Sequence, residues 1–305
     1  MTSRFISSLL AIAFAGATLQ AQQDFSQTVI KVTPVAAGVY MLEGAGGNIG
    51  LSVGTDDAFM IDDQYAPLTP KIRAVIATVT AKPVRFVLNT HWHGDHTGGN
   101  ENMTGAGAII VAHENARRRM GVEQFTAAFN SRTPASPRAA LPVVTFSESI
   151  TFHVNGDSLR AIHVRNAHTD GDALVHFQRA NVMHMGDNFF NGMYPFIDVS
   201  SGGSVRGTIA AVNEALTMTN ARSRIIPGHG PLATRDDLVA YRNMLRTISD
   251  RVARLVAQRR TLAQVVAAKP SADFDGKWGN GFMKPDPFIT SVYTSLATSG
   301  RKPRQ

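Results

Sequence analysis

The chain has 305 residues, 44% of them hydrophobic and 17% charged, which is ample apolar material for one sizeable core. Its formal net charge is +7, yet Arg and Lys are scattered apart from short clusters such as Arg117-Arg118-Arg119 and Arg259-Arg260, and aromatic residues do not interleave with them. A stacking groove for nucleic acid is therefore unsupported, and the absence of cysteine excludes disulfides, thiolate metal ligands and a cysteine nucleophile.

Arg4 precedes a small and apolar run over residues 5–19, followed by Gln20-Ala21-Gln22. The run is shorter than the ~20 apolar residues a membrane span needs, so residues 1–21 read as a signal peptide with a small residue at the cleavage point. The mature protein then begins near Gln22, is periplasmic or secreted, and has no membrane association after cleavage. After a short polar lead, residues 38–43 read as a strand, 44–50 as a Gly-rich turn, and 49–53 with 58–61 as a hairpin. Helical spacing of Ile72, Val75, Ile76 and Val79 predicts a helix over 70–80, with Thr69 as a possible cap before Pro70. A short apolar strand over 84–88 delivers the chain to Asn89-Thr90-His91, and another follows at 108–112. A helix starting near Glu114 would place Arg117-Arg118-Arg119 on a solvated face, and residues 133–137 form a surface loop.

The second half repeats this logic. Strands are expected at 150–154, 159–164, 173–177 and 182–185, a helix at 205–217, a strand at 224–226, and a largely helical stretch over 235–265. Such an order suggests two similar α/β halves packed sheet to sheet. No clear linker divides residues 22–305, which form one domain with a C-terminal helical extension.

Chemistry concentrates in His91-Trp92-His93-Gly94-Asp95-His96. Just past a strand, His91 and His93 project the same way because side chains alternate with period two, so their imidazoles can chelate one metal ion. Gly94 lets the chain turn, and Asp95 and His96 then reach a neighbouring point. Zinc accepts both imidazole nitrogen and carboxylate oxygen.

With these residues the sequence resembles the metallo-β-lactamase superfamily, whose signature is H-x-H-x-D-H followed by isolated ligands downstream. The resemblance covers roughly residues 39–229. It implies an α/β fold, the αββα sandwich of two mixed sheets flanked by helices, and two zinc ions. His168, in Asn166-Ala167-His168-Thr169-Asp170, resembles the third ligand of the first metal. Asp187, in Gly186-Asp187-Asn188, resembles the carboxylate that bridges both metals in the glyoxalase II branch, and His229, in Pro227-Gly228-His229-Gly230, the last ligand of the second metal. By this resemblance the first site is His91, His93 and His168, the second is Asp95, His96 and His229, and Asp187 is shared. Asp62 resembles the family's aspartate that orients a ligating histidine, with a turn role and Asp63 as competing readings. The remaining histidines, His113, His153, His163, His176 and His184, lie in or beside apolar strands without partners at ligand spacing, and read as core or surface residues.

The activity so implied is that of an exported, zinc-dependent hydrolase acting on a small carbonyl-type substrate. Two zinc ions lower the pKa of a shared water from 15.7 toward ~7, giving hydroxide for the attack, with Asp95 as the catalytic carboxylate. Cysteine-ligand lactamases carry a cysteine where Asp187 stands, so a β-lactam is one expected substrate and a thioester, lactone or ester of the glyoxalase II-like branch the alternative. An iron-dependent oxidoreductase on the same fold and a non-catalytic metal-binding protein are further alternatives. Residues 44–48 lack the Lys-Ser/Thr ending of a phosphate loop, reading instead as a hairpin lip over the site. Residues 192–198 are expected to line the substrate side, with Tyr194 either bonding a substrate carbonyl or packed in the core. Residues 277–279 and 288–293 either cover the site or pack on a helix.

Overall fold

The computed structural model describes residues 24–298, so the signal-peptide reading of residues 1–21 lies outside the described residues. The chain forms β1 (Lys31–Ala36), β2 (Val39–Glu43), β3 (Ile49–Ser52) and β4 (Ala58–Ile61), then helix α1 (Thr69–Val79) and β5 (Val84–Asn89). Short helices α2 (Gly94–Thr97) and α3 (Asn100–Gly105) lead to β6 (Ile109–His113) and α4 (Glu114–Met120). A small hairpin of β7 (Gln124–Thr126) and β8 (Ser131–Thr133) precedes β9 (Val144–Phe146). The second half runs through β10 (Ser149–Val154), β11 (Asp157–His163), β12 (Ala173–Phe177), β13 (Val182–His184), α5 (Val205–Thr217), β14 (Arg224–Ile226) and β15 (Ala233–Thr234). Helices α6 (Arg235–Ala257), α7 (Leu262–Ala267), α8 (Ala272–Trp278) and α9 (Pro285–Thr298) complete it.

Two mixed sheets result, flanked by helices. In the first, ordered β1-β2-β3-β4-β5-β6-β9, an antiparallel meander passes into strands that run parallel from β4 onward. In the second, β10-β11-β12-β13-β14-β15, the meander ends at β13, which pairs parallel with β14. Each half thus contains a strand–helix–parallel strand unit, β4–α1–β5 in one and β13–α5–β14 in the other. The sheets face each other through Met41, Phe59, Ile61 and Leu88 on one side and Leu159, Val175, Phe177 and Val182 on the other. The opposite face of the first sheet packs Leu42, Leu51, Met60 and Val87 under Ile72 and Ile76 of α1. That of the second packs Leu174, Met183 and Ile225 under α5, α6 and α9. Because both faces of each sheet are covered, β3 and β4 are buried at every position, and their apolar runs show no alternation.

Several expectations need correction. The polar lead is a strand: β1 pairs with β2 at the sheet edge, where Pro34 is tolerated. The helix expected over 235–265 is broken at Arg259, whose φ of +58° ends α6, and Thr261 then caps α7 with a reciprocal bond to Gln264. The basic cluster on α4 is not simply solvated. Arg118 is exposed, but Arg119 grips Asp170 with Nε and Nη2 at 2.6 and 2.8 Å, and Arg117 donates to the Pro142 carbonyl. The C-terminal stretch packs on the second half, with Phe288, Ile289, Val292 and Leu296 of α9 buried. Among the described residues no helix is long and apolar enough to cross a membrane.

Phe59 of β4 sits 5.6 Å from Phe86 and 4.8 Å from Phe152 of the opposing sheet, ring centroid to centroid. Phe59→Ala should cost about 3–5 kcal/mol, the usual range for a fully buried phenylalanine, read from urea unfolding midpoints at unchanged slope.

Candidate metal centre

The centre lies at the carboxyl ends of the parallel strands of both sheets. Asp62 follows β4 and His91 follows β5 in one half; Asp187 follows β13 and His229 follows β14 in the other. His93 has extended backbone before α2, whose single turn carries Asp95 and His96 back beside it. Two groups form. His91, His93, His168 and Asp187 make one, and Asp95, His96 and His229 the other.

In the first group, His93 Nδ1 lies 3.0 Å from His91 Nε2 and 2.9 Å from His168 Nε2. Asp187 Oδ2 is 3.8 Å from His91 Nε2 and 3.6 Å from His168 Nε2. In the second, His96 Nε2 is 3.4 Å from His229 Nε2 and 3.6 Å from Asp95 Oδ2, and His229 Nε2 is 3.3 Å from Asp95 Oδ2. The other oxygen of Asp187, Oδ1, turns to this group, 3.0 Å from His96 Nε2 and 3.4 Å from His229 Nε2. Bonds of ~2.1 Å to a tetrahedral ion put ligand atoms about 3.4 Å apart, and the separations in both groups straddle that value.

Hydrogen bonds behind the imidazoles decide what faces the middle. Thr90 Oγ1 gives its proton to Asp62 Oδ2 at 2.8 Å, so it accepts from His91 Nδ1 at 3.1 Å. His93 Nε2 donates to Asp198 Oδ2 at 3.1 Å, His168 Nδ1 to the Phe196 carbonyl at 2.8 Å, and His96 Nδ1 to Asp62 Oδ2 at 2.8 Å. The partners fix the orientation of each ring, and at His91, His93 and His168 the second nitrogen is left a lone pair aimed at its neighbours. The His93 lone pair stands about 3 Å from each of the other two, and they repel unless something positive lies between them. Asp187 Oδ1 is likewise buried and accepts no hydrogen bond. The residues present therefore fit a pair of divalent cations, with four donor atoms near one and four near the other.

The electrostatics agree. Burial, then the neighbouring His96, holds His91 well below the usual imidazole range, and burial takes His168 down to about 4, so both are neutral near pH 7. Burial also opposes charge on His96 and His229, but Asp187 and Asp95 outweigh it, raising His96 well above its ordinary value and His229 to about 9. Burial would raise Asp95 too, yet His96 and His229 draw it down to about 2. Carboxylates that pull protons onto these imidazoles pull equally on a metal cation.

Two close approaches shape the rim. A Cβ on Gly47 would stand 2.0 Å from His96 Cε1, and one on Gly228 2.1 Å from Asp187 Oδ1, so neither position admits a side chain. The Gly-rich turn after β2 is tied to the site by Gly47 N to the Asp95 carbonyl at 3.0 Å and Asn48 N to the Gly228 carbonyl at 2.7 Å.

A family profile described as the Metallo-beta-lactamase superfamily matches residues 43–229, more than half of the chain. The chain belongs to the metallo-beta-lactamase superfamily. Among relatives, it is 27% identical over 187 residues to the "Lactamase-like protein aptB" of Emericella nidulans, covering 59% of this chain and 52% of that protein, so it spans about half of that relative's length. It is 29% identical over 206 residues to a hydroxyacylglutathione hydrolase of Polaromonas sp., covering 64% of this chain and 69% of that enzyme. The fold is similar to a metallo-beta-lactamase from Pontibacter korlensis (TM-score 0.59, 20% identity, 71% of this chain and 99% of the other). It is also similar to the sec-alkylsulfatase Pisa1 from Pseudomonas sp. (TM-score 0.65, 15% identity, 87% of this chain and 50% of the other).

Of the residues that the sequence singles out, the structure brings together His91, His93, Asp95, His96, His168, Asp187 and His229, with Asp62 bonded behind His96. Asp63 points elsewhere, accepting from Gly99 N at 2.9 Å. Tyr194 is corrected: it is fully buried, stacked 4.5 Å from Phe288, and its hydroxyl donates to Asp275 at 2.8 Å, so it cannot reach a substrate. Asp198 was missed. It lies 105 residues from His93, and its local pattern shows only a turn capped on Ser201.

Asp62→Asn keeps the volume but loses an acceptor for His96 and Thr90. Divalent-metal affinity, read by competition with a chromogenic chelator, should fall about 10–100-fold, whereas unchanged affinity would remove Asp62 from the support of the centre.

Proposed function

We propose that the protein is an exported two-zinc hydrolase of small carboxylic esters, thioesters or lactones. His91, His93 and His168 would hold the first ion, Asp95, His96 and His229 the second, and Asp187 both. The observation that carries this reading is Asp187, whose Oδ2 faces one group and Oδ1 the other. Similarity to hydroxyacylglutathione hydrolases of Polaromonas sp. and Erythrobacter litoralis supports the same branch.

When bound, the cations supply Lewis acidity toward the carbonyl oxygen and bring the pKa of water from 15.7 toward ~7. The protein's own groups orient that chemistry. Asp187 is buried, with a side-chain exposure of 5%, and takes no proton from solvent; Asp95, at 24%, faces the opening and is placed to accept a hydrogen bond from the attacking water. His229 and His93 are the other partly open members, so substrate enters over these three. Phe190 stacks on His229 at 5.0 Å and Trp92 lies 4.5 Å from His93, which lowers the local polarity around the reacting carbonyl and strengthens charge interactions there.

The reading is tested by metal analysis of the mature protein beside hydrolysis of an aryl ester, a lactone, a glutathione thioester, a chromogenic β-lactam and an alkyl sulfate. About two zincs per chain with turnover of the first three is expected. Fast turnover of the β-lactam alone would move the protein to the lactamases, and iron in place of zinc would favour an oxidoreductase. Asp187→Ala should lower metal content and activity together, as expected for residues that act as a unit. Export follows from residues 1–21 alone, and cell fractionation should find the protein outside the cytoplasm; a cytoplasmic pool of full-length chain would refute it.

A further inference from the structure

Phe129 and Phe282 are large apolar side chains left 46% and 68% exposed. They belong to separate places, the turn Ala127–Phe129 after β7 and the connection between α8 and α9, yet their ring centroids lie 5.6 Å apart. Phe129 also packs 4.8 Å from Phe196, and Phe196 lies over His93 at 5.9 Å and edge-on to His168 at 5.7 Å. A continuous line of rings thus runs from solvent to two imidazoles of the metal centre.

Both exposed rings are held in place. The amide of Ala127 donates to Ser200 Oγ at 3.0 Å, in the same turn whose Asp198 holds His93. Phe282 precedes Met283, which forms a β-bridge with Tyr194; Tyr194 in turn donates its amide to the Trp278 carbonyl at 2.8 Å and its hydroxyl to Asp275. The buried tyrosine therefore anchors the segment that presents Phe282.

We propose that Phe129 and Phe282 form a substrate-selecting rim that takes an alkyl chain or aryl ring attached to the scissile carbonyl. The proposal rests on the hydrolase reading above and narrows its substrate class. A group covering these rings lies, through Phe196, beside the imidazoles around which the carbonyl reacts, and that continuity favours a substrate's apolar part over a partner protein. Phenyl rings gain free energy from covering by apolar groups and none from the carboxylates of a glutathione moiety.

The test measures dissociation constants of acetohydroxamate and octanohydroxamate, two zinc-chelating probes that differ only in tail length, on the zinc-loaded mature protein by titration calorimetry. The longer tail should bind at least about ten-fold more tightly to the wild type, and Phe129→Ala and Phe282→Ala should each erase most of that preference, the scale expected for losing a buried aromatic contact. A preference that both variants retain, or no preference or binding in the wild type, overturns the rim. So does a concentration-dependent dimer that Phe282→Ala disperses without altering the preference, which would assign the patch to a second copy of the chain. If the preference exists and is lost in the variants while no carbonyl substrate is hydrolysed, the rim stands and the hydrolase reading fails.

Discussion

Asp62 accepts three hydrogen bonds at once, from Thr90 N, Thr90 Oγ1 and His96 Nδ1, at 2.7–2.8 Å and in complete burial. Most of the centre follows from it. His96 is fixed directly, with its Nε2 facing inward. Thr90, having spent its proton on Asp62, can only accept, and so fixes His91 in the same sense. Asp198 and the Phe196 carbonyl do this for His93 and His168. The consequence is a set of lone pairs and carboxylate oxygens that the fold holds face to face although they repel. Such an arrangement is costly in an empty interior and favourable around cations, which is why its geometry speaks about chemistry as well as stability.

The two sheets make this possible. Loops leaving the parallel strands of both halves meet at one edge of the sandwich, where a covered core gives way to solvent. The chain distorts to bring them together. Asp62 and Gln64 sit at φ +63° and +57°, a left-handed region that costs of order 1–3 kcal/mol for a residue with a side chain. Glycine stands where the backbone must touch the ligand groups, at Gly47 and Gly228. Behind the strain lie rigid supports: the aromatic contact of Phe59, Phe86 and Phe152 between sheets, and the packing of α5, α6 and α9 beneath the second half.

Tyr194 and Asp198 illustrate how one segment serves structure and site together. They are four residues apart. One points away from the centre, to Asp275 of α8, and the other toward it, to His93. Between them Phe196 gives its carbonyl to His168 and its ring to His93. The C-terminal helices are thereby coupled to the centre without supplying a donor atom to it, and the connection between them brings Phe282 to the opening.

The sequence by itself determined the kinds of donor and much of the scaffold. Apolar runs bounded by glycine and proline located β2 to β6 and β10 to β14, because burial and turn chemistry are local properties. The spacing of His91, His93, Asp95 and His96 revealed a chelating turn because those residues are neighbours in the chain. It could not reveal an edge strand whose burial is partial, such as β1, nor the break at Arg259, where a left-handed residue carries no glycine to announce it. Only the tertiary structure decided that Asp187 turns one oxygen to each group, that Asp62 rather than Asp63 stands behind His96 and Asp198 behind His93, and that Tyr194 is a buried anchor. The physical reason is the same throughout: a hydrogen bond such as that from His93 to Asp198 spans 105 positions, and residues that far apart share no periodicity until the two sheets close on each other.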